Sequence, residues 1–189
     1  TFLTFVQFVT FYPQLIAGPI ILYRELREQI EKIQNNRSEG LNLFGPGLAV
    51  FSLGLFKKIC LADTIAPFAD SAFNSHLMIS MMEAWAGGLA FSLQLYFDFS
   101  GYSDMAVGLG LMFGIRLPLN FDTPFRARNM TNFWKCWHMT MTRFFMLYVY
   151  SPIALMVGRY AELYVKNILL IFLLTIAAPT IFTFLLSGL

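Results

Sequence analysis

Charge is what this sequence has least of. Asp, Glu, Lys and Arg make up 13% of its 189 residues, against about 25% in soluble domains, which argues against a water-soluble globule. The formal balance is only +2, and no basic tract interleaved with stacking aromatics stands in a polar setting, so nucleic acid is not an expected partner. Cysteine is nearly missing. Cys60 and Cys136 are far apart, with no Cys-x-x-Cys and no His/Cys cluster, and so supply neither a disulfide framework nor a zinc site. No cleavable leader with a basic start and a small-residue exit is visible. The chain begins and ends inside apolar runs, which reads as an internal piece of a longer protein, truncated at both ends.

What is present is apolar. Hydrophobic residues reach 57%, phenylalanine alone contributes 21 residues, and the mean hydropathy is +0.61. This is the composition of an integral membrane protein. Residues 1–23 carry no charge, but Pro13, Gly18 and Pro19 interrupt them. A straight crossing needs about 20 apolar residues, so a helix ending near Tyr12 and then a bent or re-entrant piece is expected. Residues 24–39 are densely charged, with Leu22, Leu26, Ile30 and Ile33 at helical spacing. That pattern predicts an amphipathic helix at the interface, closed by Asn35-Asn36.

A second uncharged run, Leu41 to Phe56, ends at Lys57-Lys58, as a span reaching the cytoplasmic side would. The stretch from Asp63 to Glu83 is mixed and reads as external or interfacial; its His76 is an ordinary loop histidine. Two half-length apolar pieces, Ala84 to Phe97 and Met105 to Ile115, flank Asp98-Phe99-Ser100-Gly101-Tyr102-Ser103-Asp104. A polar break in a helix at membrane depth is expected there. Asp98 and Asp104 lack a third ligand at a suitable spacing, so no metal is assigned. Gly110 and Gly114 read as a helix-packing pair. Two further apolar runs follow, Phe144 to Gly158 and Ile168 to Leu189, the last kinked at Pro179. All-α architecture follows: a polytopic helical bundle with broken, re-entrant and interfacial helices, forming one membrane domain over residues 1–189.

One of only two histidines stands in Asn132-Phe133-Trp134-Lys135-Cys136-Trp137-His138. Ionisable groups among apolar segments are costly and are functional candidates by default, and imidazole exchanges a proton near neutral pH. On a helix the neighbours of His138 would be Trp134, Lys135, Met141 and Thr142. Trp134 and Met141 would then wall an acyl-sized slot, and Lys135 would attract an anionic donor such as the phosphates of coenzyme A. A helix-packing histidine bonded to a carbonyl is the alternative. Cys136 is two positions away and on another helix face, a poor geometry for a Cys-His dyad. Arg126 and Arg128 mark a cytoplasmic flank or contact donor phosphates.

Four ordered segments resemble the membrane-bound O-acyltransferase superfamily in its bacterial alginate O-acetyltransferase branch. They are Phe11-Tyr12-Pro13-Gln14-Leu15-Ile16-Ala17-Gly18-Pro19-Ile20, Lys57-Lys58-Ile59-Cys60-Leu61-Ala62-Asp63-Thr64, Tyr96-Phe97-Asp98-Phe99-Ser100-Gly101-Tyr102-Ser103-Asp104-Met105-Ala106 and Phe133-Trp134-Lys135-Cys136-Trp137-His138. The resemblance implies a multi-pass enzyme of the inner membrane with a central tunnel, the donor entering from the cytoplasmic side. His138 matches the first of the family's two histidines, as base or as positioning residue. The second is expected just past Leu189, after Leu185-Leu186-Ser187-Gly188-Leu189. Asp98, Ser100, Tyr102 and Ser103 would line the tunnel with Trp134, Trp137 and Met141.

The implied reaction moves a short acyl group, acetyl above all, onto hydroxyls of a cell-surface polysaccharide or a relay partner. Acetyl-CoA is the expected kind of donor and no bound cofactor is implied. Membrane lipid and periplasmic or extracellular acetyltransferase and glycan-export proteins are the expected partners. The chain departs from the branch at Lys135-Cys136, where Arg-Arg is usual, and at Met146-Leu147, where Arg-Asp is usual. These departures keep a second class open: a non-catalytic scaffold or transporter component of a glycan-modification complex. A transporter would be expected to show inverted repeats, and the sequence has none evident.

Overall fold

A computed structural model describes residues 2–14, 18–35, 42–74 and 79–164, together with Ile176 and Thr180. The regular structure among its described residues is all helical, with no strand. The chain divides into two compact units, Thr1–Asp122 and Thr123–Leu189. His76 and the last apolar run, apart from Ile176 and Thr180, lie outside the described residues.

In the first unit, α1 (Phe2–Thr10) ends before a 3-10 turn at Tyr12–Gln14, where Pro13 removes a backbone donor. The expected stop near Tyr12 is met. Helix α2 (Tyr23–Asn35) follows, and its apolar stripe is where the spacing put it. Leu26 is fully buried in a cluster with Ile21, Val107, Ile115 and Leu117, and Ile30 and Ile33 pack against them. The stripe expected to face an interface therefore faces the protein. On its outer side Arg24 pairs with Glu28 at 3.2 Å and Arg27 with Glu31 at 2.7 Å, the i,i+4 spacing that supports a solvated helix by a few tenths of a kcal/mol per pair. The Glu31 carboxylate holds the Arg27 guanidinium above its ordinary value by a hydrogen bond and by charge.

Helix α3 (Phe44–Phe56) does not stop at the lysine pair. It continues through a π-helical turn at Lys57–Ala62 into α4 (Asp63–Phe73). Opposite runs α5 (Met81–Met112), 32 residues long and about 48 Å at 1.5 Å per residue. Its start is a capping box: Ser80 Oγ accepts from the Glu83 backbone N–H at 3.3 Å, and the Ser80 backbone N–H donates to Glu83 Oε2 at 2.7 Å. The polar break expected at Asp98 to Asp104 is absent, and α5 passes straight through it. Gly101 serves there not as a breaker but as a contact. A Cβ built on it would lie 2.7 Å from the Gly54 carbonyl oxygen, and one on Gly54 would lie 2.6 Å from that of Gly101. Two turns away Gly47 and Gly108 stand in the same relation, each 2.7 Å from the other's oxygen.

Gly114 also has a different role from the packing one expected of it. At φ 80° it ends α5 in the left-handed region that glycine adopts without penalty. Ile115 N–H donates to the Gly110 carbonyl and Gly114 N–H to that of Leu111, both at 2.8 Å, the paired bonds of a Schellman ending.

The second unit holds a 3-10 turn at Pro124–Arg126, α6 (Met130–Cys136), α7 (Met139–Phe145), a π-helical turn at Met146–Tyr150 and α8 (Ser151–Tyr164). Met139–Arg159 is a continuous stretch of 21 residues, long and apolar enough to cross a membrane. Asn129 caps α6, its side chain accepting from the Asn132 N–H at 2.8 Å.

The glycine contacts generate a stability prediction. Gly54→Ala forces α3 and α5 apart and is expected to cost the full-length protein about 1–3 kcal/mol, the range for overpacking. Gly45, with open space around its Cβ position, should gain up to about 1 kcal/mol as alanine. Thermal unfolding in detergent, followed by monodispersity, compares the two.

Candidate active site

The motif that ends at His138 is not one helix. Helix α6 closes at Cys136, Trp137 is extended at φ −100° and ψ 125°, and His138 is left-handed at φ 43° and ψ 55° before α7 begins. Left-handed backbone is uncommon outside glycine, although histidine tolerates it better than most, and it costs of order 1–3 kcal/mol where the surroundings enforce it. The same residue is the N-cap of α7. The His138 carbonyl accepts from the Met141 N–H at 3.1 Å, the Thr142 N–H at 3.2 Å and the Thr142 hydroxyl at 3.4 Å. Trp134 and Met141 therefore do not flank the histidine on one helix face, as helical spacing had suggested. The chain breaks between them, and nothing in Trp-Lys-Cys-Trp-His marks a break.

His138 is half-buried, with Nδ1 shut away from solvent. It stands just before the apolar stretch that starts at Met139. Burial holds its imidazole below the ordinary value of 6.5, so the neutral form is favoured. Trp137 stacks on Phe133 with centroids 5.6 Å apart and planes 19° apart, and Trp134 meets the same ring edge-on at 5.3 Å. Phe125 adds a third ring at 6.1 Å. Phe133 is thus the hub of an aromatic cluster beside the histidine. Its spacing of four from Trp137 signalled the pair. Cys136 is half-buried at the end of α6. Met141 is half-buried, while Trp134, Lys135, Arg126 and Arg128 are exposed.

The remaining predicted residues lie on α5, in the other unit. Ser100 and Ser103 are fully buried, and the Ser100 hydroxyl has no hydrogen-bond partner among the described residues. Tyr102 is half-buried and lines a cavity of about 160 Å³ with Tyr12, Pro13, Phe51 and Met105. Asp98 is tied to Lys58 at 2.6 Å, and Lys58 also reaches Asp63 at 2.7 Å. Asp104 pairs with Lys57 at 2.5 Å, both side chains being under one-third exposed. The two lysines, taken from sequence as topology markers, are thus partners of the acidic residues on α5. Opposite charges on two apolar helices were the available signal, but only the packing of α3 on α5 reveals which acid each lysine meets.

Comparison with known proteins adds to this geometry. Residues 1–175 match the model of MBOAT, the membrane-bound O-acyltransferase family. The chain belongs to that family. It is 47% identical over 174 residues to a peptidoglycan O-acetyltransferase of Helicobacter pylori, covering 92% of this chain and 32% of the relative. Against a probable alginate O-acetylase AlgI of Azotobacter vinelandii it is 41% identical over 170 residues, 90% of this chain and 33% of that one. A teichoic acid D-alanyltransferase of Streptococcus thermophilus is 29% identical over 159 residues, covering 82% of this chain and 38% of the relative. The chain spans about a third of the length of these relatives. As an MBOAT member it is a membrane protein, and the stretch Met139–Arg159 fits that.

The ion pairs carry their own prediction. Lys57→Met leaves Asp104 without its partner, which is expected to cost about 1–3 kcal/mol. Reversing both charges, Lys57→Asp with Asp104→Lys, should recover at least half of that loss. Thermal midpoints of the full-length protein in detergent provide the double-mutant cycle.

Proposed function

We propose that the whole protein is an O-acyltransferase of the bacterial inner membrane that moves a short acyl group, acetyl first, onto hydroxyls of a cell-surface polymer. The observation that carries this reading is His138: a half-buried imidazole on a left-handed residue that caps the head of an apolar helix in an MBOAT chain. Strain of this kind is retained where the surroundings over-determine it and clusters at active sites. The family membership supports the reaction class. The relatives' named acceptors, peptidoglycan, alginate and teichoic acid, are all envelope polymers and support the substrate class.

Acyl transfer to a hydroxyl needs a proton removed as oxygen attacks the donor carbonyl, and a proton returned to the leaving group. A neutral imidazole does the first and the resulting imidazolium the second, for about a 10²–10⁴-fold gain. His138 takes this role. Burial suits it, because the base must be neutral to act. The cluster of Phe125, Phe133, Trp134 and Trp137 fixes the segment that holds the histidine, and Met141 borders it on the α7 side. Lys135, Arg126 and Arg128, exposed on this unit, offer charge to the phosphates of an acyl-CoA donor. Tyr102, Ser100 and Ser103 supply hydroxyls on α5 for the tunnel, whereas Asp98 serves first as the partner of Lys58.

A single membrane domain over residues 1–189 with multi-pass topology completes this reading, and the helix exteriors of the first unit suit the topology. Phe2, Leu3, Phe44, Leu53, Trp85 and Leu89 are all exposed, and large outward-facing apolar side chains suit lipid. Envelope acetyltransferases or glycan-export proteins on the outer side are the proposed partners.

The test compares full-length wild type with His138→Ala and His138→Asn at equal membrane levels in the host, reading base-released acetate from the surface polymer. Both variants should lose ester by at least about 100-fold. Asparagine tolerates left-handed backbone, so its failure would trace to the lost imidazole rather than to the turn. Unchanged ester would overturn the catalytic role. In membranes, acyl transfer should fall as acid protonates His138, with the midpoint below 6.5 because burial depresses that group. A midpoint above 6.5 would count against His138 as the base.

A further inference from the structure

Two cavities lie side by side on α2 and share Ile33. The first, about 600 Å³, is lined by Lys32, Arg116, Gln29 and Asn42. The second, about 470 Å³, is walled by Phe11, Tyr12, Ile30, Phe113 and Ile115. The segment that leaves α5 separates them residue by residue. Phe113 and Ile115 border the apolar cavity, and Gly114 and Arg116 border the polar one. Gln29 sets that segment in place, its side-chain amide accepting from the Arg116 N–H at 2.7 Å and donating to the Arg116 carbonyl at 3.1 Å. Arg116 and Lys32 thereby border the same cavity.

Charge is unbalanced in the first cavity. The carboxylates of α2 are engaged elsewhere: Glu28 with Arg24, Glu31 with Arg27, and Glu25 with the backbone N–H of Leu22. Neither Lys32 nor Arg116 forms an ion pair among the described residues, and no carboxylate is among the described lining of the cavity. Arg and Lys together form the usual protein cradle for a phosphate, the guanidinium by paired hydrogen bonds and the ammonium as a point charge. An aromatic and aliphatic cavity beside a phosphate cradle fits one amphiphile better than two separate ligands. We infer that the paired cavities bind an anionic phospholipid, its phosphate between Lys32 and Arg116 and an acyl chain along Phe11, Ile30 and Phe113.

The test uses the full-length protein in mild detergent, stripped of lipid, with short-chain phosphatidylglycerol as probe and thermal stabilisation and native mass spectrometry as readouts. Phosphatidylglycerol should bind and stabilise, and phosphatidylcholine should do so at least tenfold more weakly. Lys32→Gln with Arg116→Gln should weaken phosphatidylglycerol binding tenfold or more. Arg24→Gln, which removes an equal charge from the outer side of α2, should change it less than twofold. Equal binding of the two lipids, or no effect of the double substitution, would overturn the assignment. So would stabilisation by inorganic phosphate or coenzyme A matching that of phosphatidylglycerol, since the site would then hold a free phosphate compound rather than a lipid.

Discussion

The first unit depends on one close approach, the backbone of α3 against the backbone of α5. Gly47 meets Gly108 and Gly54 meets Gly101, each pair leaving no room for a Cβ. Where lipid surrounds a protein, helices gain little by hiding apolar side chains from one another. Small residues that let backbones touch are then the means of packing, helped by Cα–H···O contacts worth about 0.5–1 kcal/mol each. Two such pairs, seven residues apart on each helix, set the antiparallel register completely.

The ion pairs between the turn after α3 and the acids of α5 form on that register. With Gly54 opposite Gly101, Lys58 arrives beside Asp98, while the Lys57 side chain reaches along α5 to Asp104. Farther along, Gly87 of α5 packs against Ala72 of α4, so the α3–α4 helix stays on α5 for most of its length. The π-helical turn at Lys57–Ala62 sits where the two lysines must both reach carboxylates, and such turns recur at functional positions. The fold thus converts three acids and two bases into a closed set of pairs.

The conformation of His138 and the lipid-like cavities share a cause. Both arise where a helix ends against something that fixes its end: the carbonyl of His138 capped by α7, and Arg116 clamped by Gln29 after the Gly114 ending. In each case a backbone constraint presents a side chain that helical continuation would have carried elsewhere.

Much of this was legible in the sequence. The membrane class, the amphipathic stripe of Leu26, Ile30 and Ile33, the stop near Tyr12 and the family resemblance all follow from composition, spacing and ordered motifs, because each is a local property of the chain. What misled was also local. A polar, glycine-containing stretch reads as a helix break, yet Asp98 to Asp104 stays helical because its glycine and its acids meet partners on α3 and the turn after it. Gly110 and Gly114 look like a helix-packing pair, yet Gly114 ends α5 and Gly110 packs on Leu117 of the segment that follows, while the contact between helices belongs to Gly47, Gly54, Gly101 and Gly108. His138 reads as helical, since no glycine or proline announces the turn it occupies. A sequence specifies which groups need a partner. Only the tertiary structure decides which partner they receive, because the distances concerned are set by helices that pack across nearly fifty residues of intervening chain.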